Sequence, residues 1–385
     1  MKDTMEEFLR FSPGPPEDVR VFFAPGRINL IGEHTDYNGG YVLPGAIEYG
    51  TWCCLRPRAD RVWRFASSTS PQVITVTPRG MAYQPDYGFA NYPLGVVWAL
   101  TEQGIDISGA DLYFSGNLPQ GAGLSSSASL ELAAATALTA AVGVDLGLAG
   151  LASIAHRAEN QFVGVPCGIM DQYAVALGQK DHVLSLSAAT LDYQAVAVPL
   201  GTVRLVITNT NKPHHLVHSP YRDRLEECRT ALALLRQGGV SISDLAALEP
   251  GFWDDVSGLI KDPVLKRRCR HVVLENDRAR KSPDLLRRGD FQQFGILMRA
   301  SHESLRDDYE VTGIELDTLA EAAWQVDGCL GSRMTGAGFG GATVSLVDEA
   351  ALPDFEAHVG QTYQRRFGRD PSFLVTRLEA GVHEV

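Results

Sequence analysis

Apolar and polar positions alternate in short runs over the first third of the chain and take helical spacing further on. Val21-Phe22-Phe23-Ala24, closed by Pro25-Gly26, predicts a strand ending in a turn. Tyr41-Val42-Leu43 and Thr51-Trp52-Cys53-Cys54-Leu55 read as a second strand pair, and Val73 to Val76 adds another strand. From Asn91 to Gln103, Leu94, Val97, Trp98 and Leu100 recur with helical period. Asp111 to Phe114 alternates as a strand and runs into a loop, Gly116 to Gly123, after which three serines open an Ala/Leu-rich helix that Gly143 terminates. Gly147 to Asn160 predicts a further helix. Val203 to Thr208 is an apolar β-branched run, hence a central strand, and the next hundred residues are richer in helix formers and charges. A second glycine loop, Gly331 to Gly341, precedes the strand-like Ala342 to Val347. This succession predicts an α/β or α+β protein of two lobes, residues 1–203 and 204–385, with a sheet order the pattern leaves open.

Composition narrows the function classes. With 45% hydrophobic and 21% charged residues the 385-residue chain can bury a core, which excludes a disordered protein. Its 34 basic and 46 acidic side chains leave a net charge of −12, which repels nucleic acid and anionic membrane, so neither is an expected partner. An anionic substrate would need a local electropositive pocket. The most apolar stretch, Leu130 to Val144, contains Glu131 and falls short of the ~20 residues a membrane span needs. Six scattered cysteines form no disulfide framework or zinc spacing, and no secretory signal opens the chain; a cytoplasmic location is expected.

Four segments carry chemistry. In Gly116 to Ser129, small residues let backbone approach phosphate, and a helix N-terminus adds free N–H groups. The segment matches neither G-x-x-x-x-G-K-[ST] nor G-x-G-x-x-G, and a serine cap after a flexible turn would look alike. The glycines between Gly336 and Gly341 exceed the needs of one turn and suit close approach to a backbone or ligand, although a hinge would share them. Gly26 to Asn38 sets Arg27, Glu33, His34 and Asp36 close together, a density suited to sugar hydroxyls, and a merely solvated turn would seldom include Leu30-Ile31. Asp171 lies within an apolar stretch, so it needs a cation or a function. His214, His215 and His218 lack the order of a zinc motif, and the basic clusters Lys266-Arg267-Arg268 and Arg278 to Arg288 read as solvated helix faces.

Together these segments resemble the GHMP superfamily of sugar and metabolite kinases, and Gly26-Arg27-Ile28-Asn29-Leu30-Ile31-Gly32-Glu33-His34-Thr35-Asp36-Tyr37 resembles the galactokinase signature nearly residue for residue. Asn91-Tyr92-Pro93, Ser301 to Arg306 and Glu315-Leu316-Asp317 extend the similarity, which runs from about residue 20 to residue 347. The resemblance implies a two-lobed GHMP-kinase fold of mixed sheets with helices and an active site in the cleft between the lobes. It implies ATP-dependent phosphorylation of the C1 hydroxyl of galactose, with Mg²⁺ as cofactor and no protein partner. By position, Arg27 would stabilise the transferring phosphate, and Asp171 would align the C1 hydroxyl and take its proton late. Glu33, His34, Thr35, Asp36, Gly168 and Tyr221 would hold the sugar. Gly121, Ala122, Gly123, Leu124, Ser125, Ser126 and Ser127 would cradle ATP, and Ser127 with Glu159 would bind Mg²⁺.

Some positions depart from the family's usual pattern: Ser187-Ala188-Ala189, Pro213 and Thr312-Gly313-Ile314 lack charges or turn residues common there. They bear on which sugar is used more than on reaction type, so N-acetylgalactosamine, galacturonate and arabinose stand as alternatives. A non-catalytic galactose sensor is a further reading, set against the intact Ser125-Ser126-Ser127-Ala128-Ser129 run.

Overall fold

The computed structural model describes residues 2–119, 121–212 and 220–385; Gln120, Pro213 and the three clustered histidines 214, 215 and 218 lie outside them. The chain opens with helix α1 (Lys2–Phe11) and continues through β1 (Arg20–Asn29), β2 (Tyr41–Val42), β3 (Pro44–Pro57), β4 (Trp63–Ser67) and β5 (Ser70–Val76). Then come α2 (Asn91–Glu102), β6 (Ala110–Gly116), α3 (Ser126–Ala141), α4 (Gly147–Arg157), a π-helical turn (Ala158–Val163) and α5 (Met170–Leu177). Strands β7 (His182–Ser187), β8 (Tyr193–Ala197) and β9 (Val203–Asn209) lead to the helices α6 (Pro220–Gln237), α7 (Pro250–Val256), α8 (Pro263–Arg287) and α9 (Phe291–Ser304). A second π-helical turn (Leu305–Tyr309), α10 (Gly313–Ala323), β10 (Cys329–Thr335), β11 (Ala342–Asp348), α11 (Leu352–Phe367), β12 (Ser372–Thr376) and β13 (His383–Glu384) complete it.

Three sheets organise these elements. One has the order β13-β1-β3-β6-β4-β5, one β10-β11-β9-β12 and one β2-β7-β8. Only the first is mixed, through the parallel β4–β6 pair; the others are antiparallel. We propose 203/204 as the boundary between lobes, where β9 opens the second sheet, with β13 returning to pair with β1. Helices α2 to α5 cover one face of the six-stranded sheet, and Phe8 of α1 packs on the other against Cys54 and Tyr113.

The predicted strand at Val21–Ala24 does not stop at Pro25-Gly26. It runs on to Asn29, with its pairing to β3 shifting register between Pro25 and Arg27. Tyr41–Val42 pairs with β7, not with the strand containing Thr51. Beyond β1, Leu30 and Ile31 are fully buried in a core that also takes in Ile207, Met298 and Val344 from the second half. Each such side chain contributes roughly 1.5–3 kcal/mol, enough to fix the polar loop that follows between the lobes.

Candidate active site

The irregularity in β1 aims Arg27 inward, where only 4% of it is exposed. Its Nε donates to Asp171 Oδ1 at 2.8 Å and its NH2 to Asp171 Oδ2 at 3.0 Å, while NH1 donates to the Gly123 carbonyl at 2.6 Å. Ser125 also donates to Asp171 Oδ2. The acid within the apolar stretch has found its cation. It sits in the first turn of α5, where the helix dipole also favours a carboxylate. This fork joins the glycine loop to the wall of a cavity of about 640 Å³.

Arg27, Glu33, His34, Asp36, Gly168, Asp171 and Tyr221 line that cavity, with Tyr37, Val165, Pro166, Cys167 and Met170 among its other walls. Another cavity of similar size, bordered by Glu48, Asp181, Arg204 and Arg377, gathers none of these residues. Glu33 accepts from the Gly336 amide at 2.8 Å and lies 3.4 Å from Arg333, itself fully buried; burial pushes its carboxyl up against the opposing charges of Arg333 and Arg27. Burial, then the charge of Asp171, pushes Asp36 up to about 7. A side chain at Gly168 would place Cβ 1.8 Å from Asp36 Oδ2, so glycine lets the carboxylate lie against the chain there.

Two predicted sugar ligands behave differently. Thr35 is not among the lining residues: its hydroxyl faces the Gly32 and Tyr41 carbonyls at 2.7 and 2.8 Å and ties the loop together. His34 lines the cavity, yet both ring nitrogens are engaged. Nε2 donates to the Ala337 carbonyl at 3.1 Å, which leaves Nδ1 to accept from Tyr37 at 2.8 Å; Tyr37 in turn contacts the Tyr309 hydroxyl at 2.8 Å. Burial, reinforced by His271, lowers His34 to about 3, so the ring is neutral. Its face lies 5.7 Å from that of Tyr221.

The loop Gly121 to Ser125 leads into α3, whose first-turn N–H groups carry the positive end of the helix dipole. The later glycines serve close backbone approach: a Cβ at Gly336 would meet the Gly123 carbonyl at 3.0 Å, and one at Gly338 the Val311 carbonyl at 2.2 Å. Ser127 lies close enough to Glu159 to favour its carboxylate; the π-helical turn presents Glu159, which accepts from Gln172 Nε2 at 2.8 Å. Burial pushes Glu159 up to about 7 despite these contacts. No ion pair to Glu159 exists among the described residues, and a carboxylate close to a hydroxyl is a donor set of the kind Mg²⁺ takes. Among the described residues no three His, Cys, Asp or Glu side chains group to hold a metal.

Sequence reasoning missed the residues that hold this site from behind. His271 and Glu275 on α8 are fully buried against the backbone of Gly32 and Glu33. Arg268, read as part of a solvated face, is buried too and pairs with Glu227 and Glu310. Charges at core-facing positions of α8, beside Cys269, Val272 and Val273, were the available signal. The departures Ser187-Ala188-Ala189 and Thr312-Gly313-Ile314 are not among the residues lining the cavity.

Comparison with known proteins agrees along the whole chain. A galactokinase galactose-binding signature matches residues 6–57, the GHMP kinases N-terminal domain residues 91–179 and the GHMP kinases C-terminal domain residues 284–365. A galactokinase from Halalkalibacterium halodurans is 45% identical, over 100% of this chain and 97% of its own length. One from Bacillus subtilis is 43% identical, over 100% and 99%. Lactococcus lactis galactokinase, solved in complex with galactose, superposes with a TM-score of 0.96 at 40% identity, covering 100% of this chain and 99% of that one. Methanococcus jannaschii mevalonate kinase, at 17% identity and a TM-score of 0.66 over 94% and 99% of the two chains, shares the fold.

Proposed function

The chain belongs to the galactokinase family of the GHMP kinases, and from that premise we infer that it transfers a phosphoryl group from ATP to the C1 hydroxyl of galactose. The observation that carries this reading is the Arg27–Asp171 fork, which ties the end of the glycine loop to the sugar cavity.

Asp171 has four lone-pair positions, of which Arg27 and Ser125 occupy three. The open position is on Oδ1, so that atom orients the C1 hydroxyl and takes its proton as the new O–P bond forms. Arg27 has five N–H protons and spends three on Asp171 and Gly123, leaving one on each terminal nitrogen for the transferring group. The loop Gly121 to Ser127 with the start of α3 would receive the phosphates, and Ser127 with Glu159 would hold Mg²⁺. When bound, that ion supplies neutralisation of the charge spread over the transferring group. No helix among the described residues is long and apolar enough to cross a membrane, and all six cysteines are free thiols, which suits a reducing cytoplasm.

Galactose itself is favoured by Glu33, Asp36, Gly168 and Tyr221, with Glu33 toward C6. Galacturonate would set a second carboxylate beside Glu33, a repulsion of ~4 kcal/mol at ~4 Å and an effective dielectric of 20. A protonated His34 would relieve it, but His34 is neutral above a pH of about 3. Arabinose would leave Glu33 without its hydroxyl, lowering kcat/KM by roughly 10- to 100-fold. ADP release measured across galactose, arabinose, N-acetylgalactosamine and galacturonate tests the reading. Galactose should lead, with galacturonate essentially inactive; a preference for galacturonate or arabinose would refute the assignment of Glu33.

A further inference from the structure

Glu33 reaches the cavity with its carboxylate, while its backbone is gripped from the opposite side by one face of α8. Asp262 caps that helix through the amides of Val264 and Leu265, and Pro263 opens it. His271 and Glu275, four residues apart, therefore share a face. Both are fully buried, at 0% exposure.

Glu275 Oε1 accepts the Gly32 amide at 2.8 Å, the Glu33 amide at 3.3 Å and the Ser301 hydroxyl at 2.7 Å. Its other oxygen accepts from Arg278 Nε at 2.7 Å. His271 takes the remaining polar group of Glu33: its Nε2 donates to the Glu33 carbonyl at 3.1 Å, and Ser304 lies 2.9 Å from Nδ1. A carbonyl only accepts, so Nε2 carries the proton and Nδ1 receives the Ser304 hydroxyl. The His271 ring also lies 4.4 Å from that of Tyr309, which bonds to Tyr37 in the loop.

The loop needs such a grip. Gly32 has φ +94°, with room for no Cβ beside the Tyr41 carbonyl at 2.4 Å, and His34 adopts φ +61°, a left-handed conformation that persists in a non-glycine residue only where its surroundings over-determine it. One dyad thus satisfies both backbone groups of the residue between two left-handed positions. We propose that His271 and Glu275 are positioning residues for sugar recognition, which set the Glu33 carboxylate by holding its amide and carbonyl from the other lobe. The inference rests on the reading of Glu33 as a sugar ligand. Neither residue lines the cavity, so their effect must pass through Glu33.

Burial alone would raise the Glu275 carboxyl, but Arg278, His271 and Arg333, with the Ser301 hydroxyl, hold it at about 2. Burial lowers His271 to about 4, so above that pH the dyad presents an anion to two amides and a neutral ring to a carbonyl.

The test compares Glu275→Gln, His271→Phe and Glu33→Ala, singly and with Glu33→Ala combined with each of the others, by steady-state kinetics in both substrates and by thermal melts. Glu275→Gln keeps the shape and removes the charge; His271→Phe keeps the ring against Tyr309, and carries the test if Glu275→Gln does not fold. Each single variant should raise the galactose KM about 10-fold, the scale of a small misplacement of a binding group, with kcat and the ATP KM within about twofold. In the Glu33→Ala background the same changes should no longer move the galactose KM. An unchanged galactose KM in Glu275→Gln and His271→Phe, beside a raised one in Glu33→Ala, overturns the inference alone, as does an equal effect in both backgrounds or a parallel rise in the ATP KM. An unchanged KM in Glu33→Ala overturns the reading beneath it.

Discussion

With Asp36 as a proposed sugar ligand, galactose binding should depend on pH in a window where most sugar sites would be flat. Its carboxyl is pushed up to about 7, first by burial and then by the charge of Asp171, with Glu33 adding to the rise and the Tyr37 amide and Arg27 opposing it. Tyr221 faces it as well, but burial holds that phenol neutral well above this range, and His34 does not titrate above about 3. As a carboxylate Asp36 accepts sugar hydroxyls; as an acid it must give up much of that capacity. A group of this kind is ~10% ionised at pH 6 and ~90% at pH 8, so galactose affinity should rise about tenfold across the interval. Binding stabilises the ionised form, so galactose should release a proton near pH 7, ~0.5 per site. Calorimetric titration with galactose alone, in two buffers of different ionisation enthalpy, measures both quantities and leaves the nucleotide side out of the experiment. Asp36→Asn should abolish the proton release and weaken galactose by roughly 10- to 100-fold, as expected for bonds to a charged group. A galactose Kd that is the same at pH 6 and pH 8, with no proton released, would refute the reasoning.

Asp171→Asn should abolish turnover while leaving galactose and ATP binding largely intact, because the amide cannot take the C1 proton; a rate within tenfold of wild type would remove Asp171 from that role. Alanine at Ser127 or at Glu159 should raise the Mg²⁺ concentration for half-maximal rate, with strongly non-additive effects because both act on one ion; additive losses at unchanged Mg²⁺ dependence would contradict the pairing. Gly168→Ala should cost sugar affinity rather than fold, since its Cβ would enter the space of the Asp36 carboxylate; a wild-type galactose KM with an altered melting temperature would reverse that expectation.

Local pattern sufficed where one element decides the outcome. The α3 helix follows from its Ala/Leu run and ends beside Gly143 at φ +68°, and the buried Leu30-Ile31 pair marks its loop as something other than a solvated turn. Pattern failed where a distant partner decides. Pro25-Gly26 reads as a stop signal, but β3 continues the ladder past it by shifting register. Tyr41–Val42 joins β7, a strand some 140 residues away, and only the tertiary fold sets that choice. At the site, motif position brought Arg27, Asp171, Glu33 and Asp36 to one cavity, yet it could not tell a side chain that faces the cavity from one that braces it. Thr35 lies between two cavity-facing residues and braces. His271 and Glu275 sit in a helix that also carries solvated charges such as Lys266, Arg270 and Arg280, and they look like part of that exposed face until the fold turns them inward.

The charges of the site also explain how a protein of net charge −12 can take a nucleotide. Arg27 is paired with Asp171, and Arg333 lies against Glu33, so neither guanidinium offers an uncompensated positive charge. Asp36 and Glu159 would make the site strongly negative if both were ionised, but burial first of all holds each near 7. In the proposed reading, affinity for phosphate would draw on backbone N–H groups at the start of α3, the free N–H groups of Arg27 and a cation arriving with the nucleotide. Sugar hydroxyls would then supply to Asp36 what that cation would supply to Glu159, a partner that makes the ionised form stable. Each carboxyl is thus about half ionised near pH 7 before its own ligand enters, so the anionic charge the two substrates meet in the cavity is reduced. Replacing either by an amide would remove the incoming ligand's proposed partner and relieve only the part of the charge that is ionised, so loss of affinity, and not its gain, is the expected outcome at pH 6 to 7.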